Sequence, residues 1–289
     1  MNISASTFTT HYFNIPTQSL NTPIYLIPFG DIHRFASLCD VQSWHEFLTW
    51  AKAKPNAYFL GMGDYDDLNS ESERVILSNP DLHEETKLTL EEIYQSRVNQ
   101  LIREIGFMKG KIIGLIEGNH FGVFQTGMTT TQEMCRQLDC KYLGVCGLIR
   151  LNFTIGGRNT TLDIFAAHGK GAARLLGGSL NTVQQMSDIA DCDVYLQGHD
   201  HQKIEGFRRR LYLQKANGTM RIRARKILFA RTGSFLKGYV PDKPSYITKG
   251  LLPPTDIGVI KIELTPRRKS ETKEGKVSSN FYIDIHCSI

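Results

Sequence analysis

The sequence predicts an α/β protein in which two stacked β-sheets are flanked by helices. Three observations carry that reading. Short apolar runs alternate with amphipathic stretches through the first half of the chain, and strand-like runs dominate the second half. The 289 residues, 41% apolar and 22% charged, have an ordinary globular composition. No run nears the roughly 18 consecutive apolar residues that a membrane-spanning helix needs. The expected organisation is one domain over residues 1–289, with a parallel-sheet domain followed by a small all-β domain as the alternative.

Taken in order, TPIYLIPFG (22–30) reads as a buried strand. VQSWHEFLTWAKAK (41–54) sets Trp44, Phe47, Leu48 and Ala51 at helical spacing. NAYFLGMG (56–63) is a second strand, followed by a stretch rich in Ser, Asn and acids over 68–85. A long helix is expected over about 86–108, with Leu88, Leu90, Ile93, Val98, Leu101, Ile102 and Ile105 as its apolar stripe. KIIGLIEG (111–118) is a third strand, and TTQEMCRQLD (130–139) a short helix with a threonine to cap it. Residues 147–157 and 159–169 read as antiparallel strands joined by a turn. A glycine-rich basic loop, Gly169 to Asn181, leads to a helix near 182–190 and then to the strand in CDVYLQG. Strand-like runs near 204–214, 219–230, 257–264 and 280–286 complete the second sheet.

The places where the apolar strands end are more informative than the strands. FGDIHR supplies Asp31 and His33, GMGDYDD supplies Asp64, Asp66 and Asp67, and IEGNHF supplies Asn119 and His120. AAHGKG supplies His168, and QGHDHQ supplies His199 and His201. Each piece alone is ordinary: an Asp-x-His can be a surface pair, and a lone histidine on a strand is more often a core residue. Five strand ends finishing alike in Asp, Asn or His are not ordinary, because α/β sheets bind ligands outside the carboxyl ends of their strands.

Imidazole, carboxylate and amide donors without a thiolate suit manganese, iron or zinc. A closed structural site takes about four ligands. Seven candidates (Asp31, His33, Asp64, Asn119, His168, His199 and His201) are enough for two ions sharing one carboxylate. Two ions about 3.5–4 Å apart can clamp both oxygens of a displacement at phosphorus.

Together, Asp31-x-His33, Gly63-Asp64-x-x-Asp67, Gly118-Asn119-His120, His168 and Gly198-His199-x-His201 resemble the five sequence blocks of the calcineurin-like metallophosphoesterases. The resemblance implies a four-layer αββα sandwich of two mixed sheets flanked by helices. It implies one ion on Asp31, His33, Asp64 and His201, and a second on Asp64, Asn119, His168 and His199. It implies attack on phosphorus by a hydroxide held between two divalent ions, most simply Mn²⁺, with Fe or Zn as alternatives. His120 would stand beside the phosphate, stabilise its charge and protonate the leaving oxygen, and Asp67 would orient a ligand histidine or pack the turn. Two departures stand out. Phe121 occupies a position where many members carry an acid. GDYDDLN lacks the arginine that usual protein phosphatases have in their second block, which argues against that branch.

The substrate is read from charge. The net charge of +5 favours anionic ligands, and it concentrates in FRRRLYLQKANGTMRIRARK (207–226). Such a stretch could extend a track for a nucleic-acid backbone. Lys170 and Arg174, in the loop after His168, are candidate grips on the phosphate beside Asn119 and His120. The expectation is therefore a phosphodiesterase acting on nucleic acid or a nucleotide. A small-molecule phosphomonoesterase is the alternative, and a non-catalytic nucleic-acid-binding or scaffold protein the further one. Six scattered cysteines without a C-x-x-C fit reduced thiols, and the N-terminus shows no basic segment followed by an apolar core. A cytoplasmic protein with no membrane partner is expected.

Overall fold

The computed structural model describes residues 8–289 apart from positions 18, 156, 172, 217, 274 and 275. In chain order its elements are β1 (Thr9–Pro16), β2 (Ile24–Phe29), α1 (Val41–Lys52), β3 (Ala57–Gly61), α2 (Glu71–Leu77) and α3 (Glu84–Ile105). Then come β4 (Ile112–Leu115), α4 (Thr130–Leu138), β5 (Cys146–Ile155), β6 (Arg158–Ala167), α5 (Leu176–Gln185) and β7 (Val194–Gln197). The chain closes with β8 (Lys203–Ala216), β9 (Thr219–Thr232), α6 (Tyr246–Lys249), β10 (Lys261–Lys273) and β11 (Lys276–Ser288).

The strands form two mixed sheets. One has six strands in the order β1-β5-β6-β7-β9-β8, the other five in the order β11-β10-β2-β3-β4. Their facing sides bury Leu26, Leu60, Ile113 and Ile262 against Ile149, Ile164, Val194 and Leu228. Burying such an aliphatic side chain is worth about 1.5–3 kcal/mol, so this layer is a major apolar source of stability. The outer side of the five-stranded sheet packs Phe29 and Phe59 under Trp44 and Phe47 of α1, Val98 and Leu101 of α3, and Met134 of α4. The outer side of the six-stranded sheet packs Phe165, Tyr195 and Phe229 under Val183 of α5. The result is the four-layer αββα sandwich.

Local chemistry explains the helix starts. Asp40 caps α1 by accepting the Ser43 N–H, and Thr129 with Gln132 forms a capping box on α4. In α3, Tyr94, Val98, Leu101 and Ile105 are buried, whereas Leu88 and Ile93 of the expected stripe are exposed.

Four expectations need correction. The loop expected to run to Asn181 ends at Leu175: α5 starts at Leu176 despite Gly177 and Gly178, because Ser179 and Val183 are buried against the sheet. The polar stretch 68–85 contains α2, started by a Ser70–Glu73 capping box. β1, not anticipated, pairs in parallel with β5 at a sheet edge. The C-terminal strands do not complete one sheet: β8 and β9 join the six-stranded sheet and β10 and β11 the five-stranded one. Among the described residues, no helix is long and apolar enough to cross a membrane, and all six cysteines are free.

Candidate metal centre

Strand direction gathers the site. β2, β3 and β4 run parallel, as do β6 and β7, so each set sends its following loops to one end of its sheet. Those loops carry Asp31 and His33, Asp64, Asn119 and His120, His168, and His199 and His201. Asp31, His33, Asp64, His168 and His201 are buried there.

The backbone at these residues is unusual. Asp31 (φ 47°), His33 (φ 46°), Asp64 (φ 48°), His199 (φ 74°) and His201 (φ 57°) all adopt the left-handed conformation. Asp and His tolerate it better than most residues, yet it still costs on the order of 1 kcal/mol or more at each. Close packing adds a second constraint. A Cβ on Gly118 would lie 2.0 Å from Asp64 Oδ1, so only glycine fits against that carboxylate.

Asp64 sits at the middle. Its Oδ1 accepts the backbone N–H groups of Asn119 (2.6 Å) and His120 (2.8 Å). Its Oδ2 faces His168 Nε2 at 3.3 Å and His33 Nε2 at 3.7 Å. On one side, Asp31 Oδ1 is 3.4 Å from His201 Nε2. On the other, His199 Nδ1 is 3.2 Å from His168 Nε2 and 3.1 Å from the Asn119 amide.

Three overlapping groups could each hold an ion: Asp31, His33 and His201; His33, Asp64 and His120; and Asp64, His168 and His199. The donors fit a cation. Asp31 Oδ1 and His33 Nε2 are buried without a hydrogen-bond partner among the described residues, which is rare for buried polar atoms. The outer ring nitrogens are occupied. His33 Nδ1 meets Asp67 at 3.0 Å, His168 Nδ1 meets the Met62 carbonyl at 2.8 Å, and His201 Nδ1 meets the Tyr246 hydroxyl at 3.2 Å. Such partners fix ring orientation and leave Nε2 for a metal.

The electrostatics agree with a site built for positive charge. Burial pushes the Asp31 and Asp64 carboxyls up, but the imidazoles of His201 and His168 outweigh it and hold both below the usual range. Burial opposes charge on His168, yet Asp64 and Asp31 raise its pKa to about 9. His199 is lowered to about 4, by burial and then by the charge on His168.

His120 is more open, with its side chain 31% exposed and its Nδ1 3.3 Å from the Leu68 carbonyl. It borders a cavity of about 520 Å³ lined also by Ser70, Glu71, Ser72, Val75 and Asn119. Lys170 and Arg174 are exposed; Arg174 donates to the Gly250 carbonyl at 3.3 Å. Among the described residues, neither makes a hydrogen bond or ion pair with the Asp and His cluster.

Sequence reasoning missed the group behind the GHDH turn. Arg231, fully buried on β9, donates to the Gly198 carbonyl at 2.7 Å and pairs with Asp200 at 3.1 Å. Asp200 also bonds the Ser179 hydroxyl, and Arg231 the Thr182 hydroxyl, so α5 is tied to the turn bearing His199 and His201. The available signal was a lone arginine inside the apolar run KILFARTGS. No protein-family model matches the chain, and no curated protein matches it at a significant level.

Proposed function

We propose that this chain is a metal-dependent phosphoesterase of the calcineurin-like type, using two divalent ions. The observation that carries the reading is Asp64, one buried carboxylate facing His33 and His168 at once. Asp31, His33, Asp64 and His201 would hold one ion, and Asp64, Asn119, His168 and His199 the other. The donor set suits manganese, with iron or zinc as alternatives. When bound, such ions supply Lewis acidity and an activated water for displacement at phosphorus.

The chain's own residues do the positioning. Asp67, the Met62 carbonyl and Tyr246 lock the rings of three ligand histidines. His120 meets the phosphoryl group, neutralises its charge and protonates the leaving oxygen. Phe121 supplies no carboxylate beside it, but Asp67 lies 3.8 Å from His120 Nδ1 and places a negative charge there. The cavity next to His120 receives the leaving group.

The substrate we infer is a phosphodiester of a nucleotide or nucleic acid. β8 begins two residues after His201 and runs away from the cluster. Arg208, Arg209 and Arg210 therefore lie roughly 17–24 Å along the strand, at about 3.4 Å per residue. A mononucleotide at the cluster does not reach them; a strand of several nucleotides does. The same separation favours the second reading, a small phosphomonoester that needs no basic track.

Metal-stripped protein reconstituted with Mn²⁺ and offered bis(p-nitrophenyl) phosphate and p-nitrophenyl phosphate tests this. Preference for the diester supports the first reading and preference for the monoester the second. Inactivity on both with Mn²⁺, Fe²⁺ and Zn²⁺ would sink the catalytic reading in favour of a non-catalytic binding protein.

A further inference from the structure

Residues 67–74 form a strap across the loop that carries Asn119 and His120, and the strap touches three consecutive residues of it. The Leu68 carbonyl faces His120 Nδ1 at 3.3 Å. The Asn69 carbonyl accepts the Phe121 N–H at 3.3 Å. Arg74 Nη1 donates to the Asn119 carbonyl at 2.6 Å. The same nitrogen donates to the Asn69 carbonyl, also at 2.6 Å, so one guanidinium joins strap and loop. Its central carbon lies 3.7 Å from the centroid of the Phe121 ring.

Packing gives α2 little reason to exist. It has seven residues and buries none of them, and Val75 and Ile76 are exposed. A helix that short is not stable alone. Its start is specified all the same, by the Ser70–Glu73 capping box, which sets Arg74 in the turn facing Asn119. The guanidinium suits this place because it is planar: the two N–H groups of Nη1 serve the two carbonyls while the flat group stacks on the ring, a fixed geometry that a rotating, strongly hydrated ammonium does not reproduce.

We propose that Arg74 is a positioning residue for the metal centre. By holding the Asn119 carbonyl and the Phe121 ring, it fixes the peptide units on both sides of His120. That keeps the N–H groups of Asn119 and His120 aimed at Asp64 Oδ1, and the Asn119 amide beside His199. The inference rests on the two-ion reading, and its effect is read first in metal binding rather than in turnover.

The experiment is a calorimetric Mn²⁺ titration of the metal-free full chain, as wild type, Arg74→Met and Arg74→Lys, with the thermal midpoint of each metal-free protein. The expected result is two ions on the wild type, and one of them weakened by about tenfold or more in Arg74→Met. Arg74→Lys should recover only part of that loss. Because α2 buries nothing, both metal-free variants should lose only the local bonds of Arg74 and melt within a few degrees of the wild type. Unchanged binding of both ions in Arg74→Met would overturn the inference and leave the phosphoesterase reading standing. Equal loss of both ions together with a large fall in midpoint would also overturn it, since Arg74 would then be structural. Should Arg74→Met not fold, Arg74→Lys decides alone: one ion weakened at an unchanged midpoint supports the inference. A wild type that binds no Mn²⁺ would remove the two-ion reading, and the inference with it.

Discussion

The Asp67 carboxylate lies 3.0 Å from His33 Nδ1, on the ring nitrogen opposite the one that faces Asp64. Asp67 is half-exposed, while His33 is buried, so the charge that orients the ring is supplied from the rim of the site. Asp67→Asn keeps a hydrogen-bond acceptor and removes that charge. We expect kcat on bis(p-nitrophenyl) phosphate to fall about 10–100-fold, with Mn²⁺ affinity reduced in parallel. Steady-state kinetics at saturating Mn²⁺ separates the two effects; an unchanged kcat would remove Asp67 from the machinery.

Asp64 faces both histidine sets, so Asp64→Asn should abolish turnover and the binding of at least one ion. The amide oxygen can still accept the Asn119 and His120 N–H groups, and far-UV circular dichroism should therefore show a folded chain. Turnover retained at more than a tenth of the wild-type rate would contradict the two-ion arrangement.

Metal binding should release protons. His168, raised to about 9, carries a proton at pH 7 in the ion-free protein, and His33 is raised too, by Asp67 and Asp64 against the effect of burial. A cation must displace these protons, so affinity should climb with pH, by about tenfold per unit for each proton lost, and the part due to His168 should level off above about pH 9. Stability of the ion-free chain should move the other way. The folded pKa of His168 lies above its ordinary 6.5, so its contribution is complete below pH 6.5 and disappears as pH rises through about 9. Calorimetry in buffers of different ionisation enthalpy counts the protons, and thermal melts from pH 6 to 10 check the sign.

If the substrate is a nucleic acid strand, replacing Arg208, Arg209 and Arg210 together by alanine should weaken binding of long single-stranded oligonucleotides and flatten the salt dependence of that binding. Hydrolysis of bis(p-nitrophenyl) phosphate should not change, because these residues lie far along β8 from the ligand cluster. Equal activity of the triple variant on long and short substrates would favour the small-substrate reading.

Left-handed backbone in the cluster makes a stability prediction. Asp31→Gly and Asp31→Ala both delete the carboxylate, but a backbone at φ 47° is strained only with alanine. The glycine variant should be the more stable of the two by about 1 kcal/mol in urea denaturation.

The candidate cluster was legible because each member sits within a few residues of a strand end, where an apolar run, a glycine and a polar side chain share one short window. Residues that act from another element were not. Arg231 reaches Gly198 and Asp200, Tyr246 reaches His201, and Arg74 reaches Asn119, all across more than thirty residues of chain. No local pattern marks such contacts, because sheet pairing and loop packing create them. β1 escaped notice for a related reason: as an edge strand it fully buries only Ile15, and most of its signal lies in its partner β5. α5 was misplaced because its two glycines argue against helix, while the burial of Ser179 beside Asp200 argues for it only after folding.

The five left-handed residues of the cluster load that end of the sandwich with backbone tension, and bound cations would be what counterbalances it. Chelation should then give a chain whose rim softens before its layers do. Amide exchange in the ion-free protein should begin in the turns near residues 31–33, 64–67 and 199–201, while β3, β6 and β7 beneath them stay closed. Occupancy, on this view, sets which part of the molecule breathes.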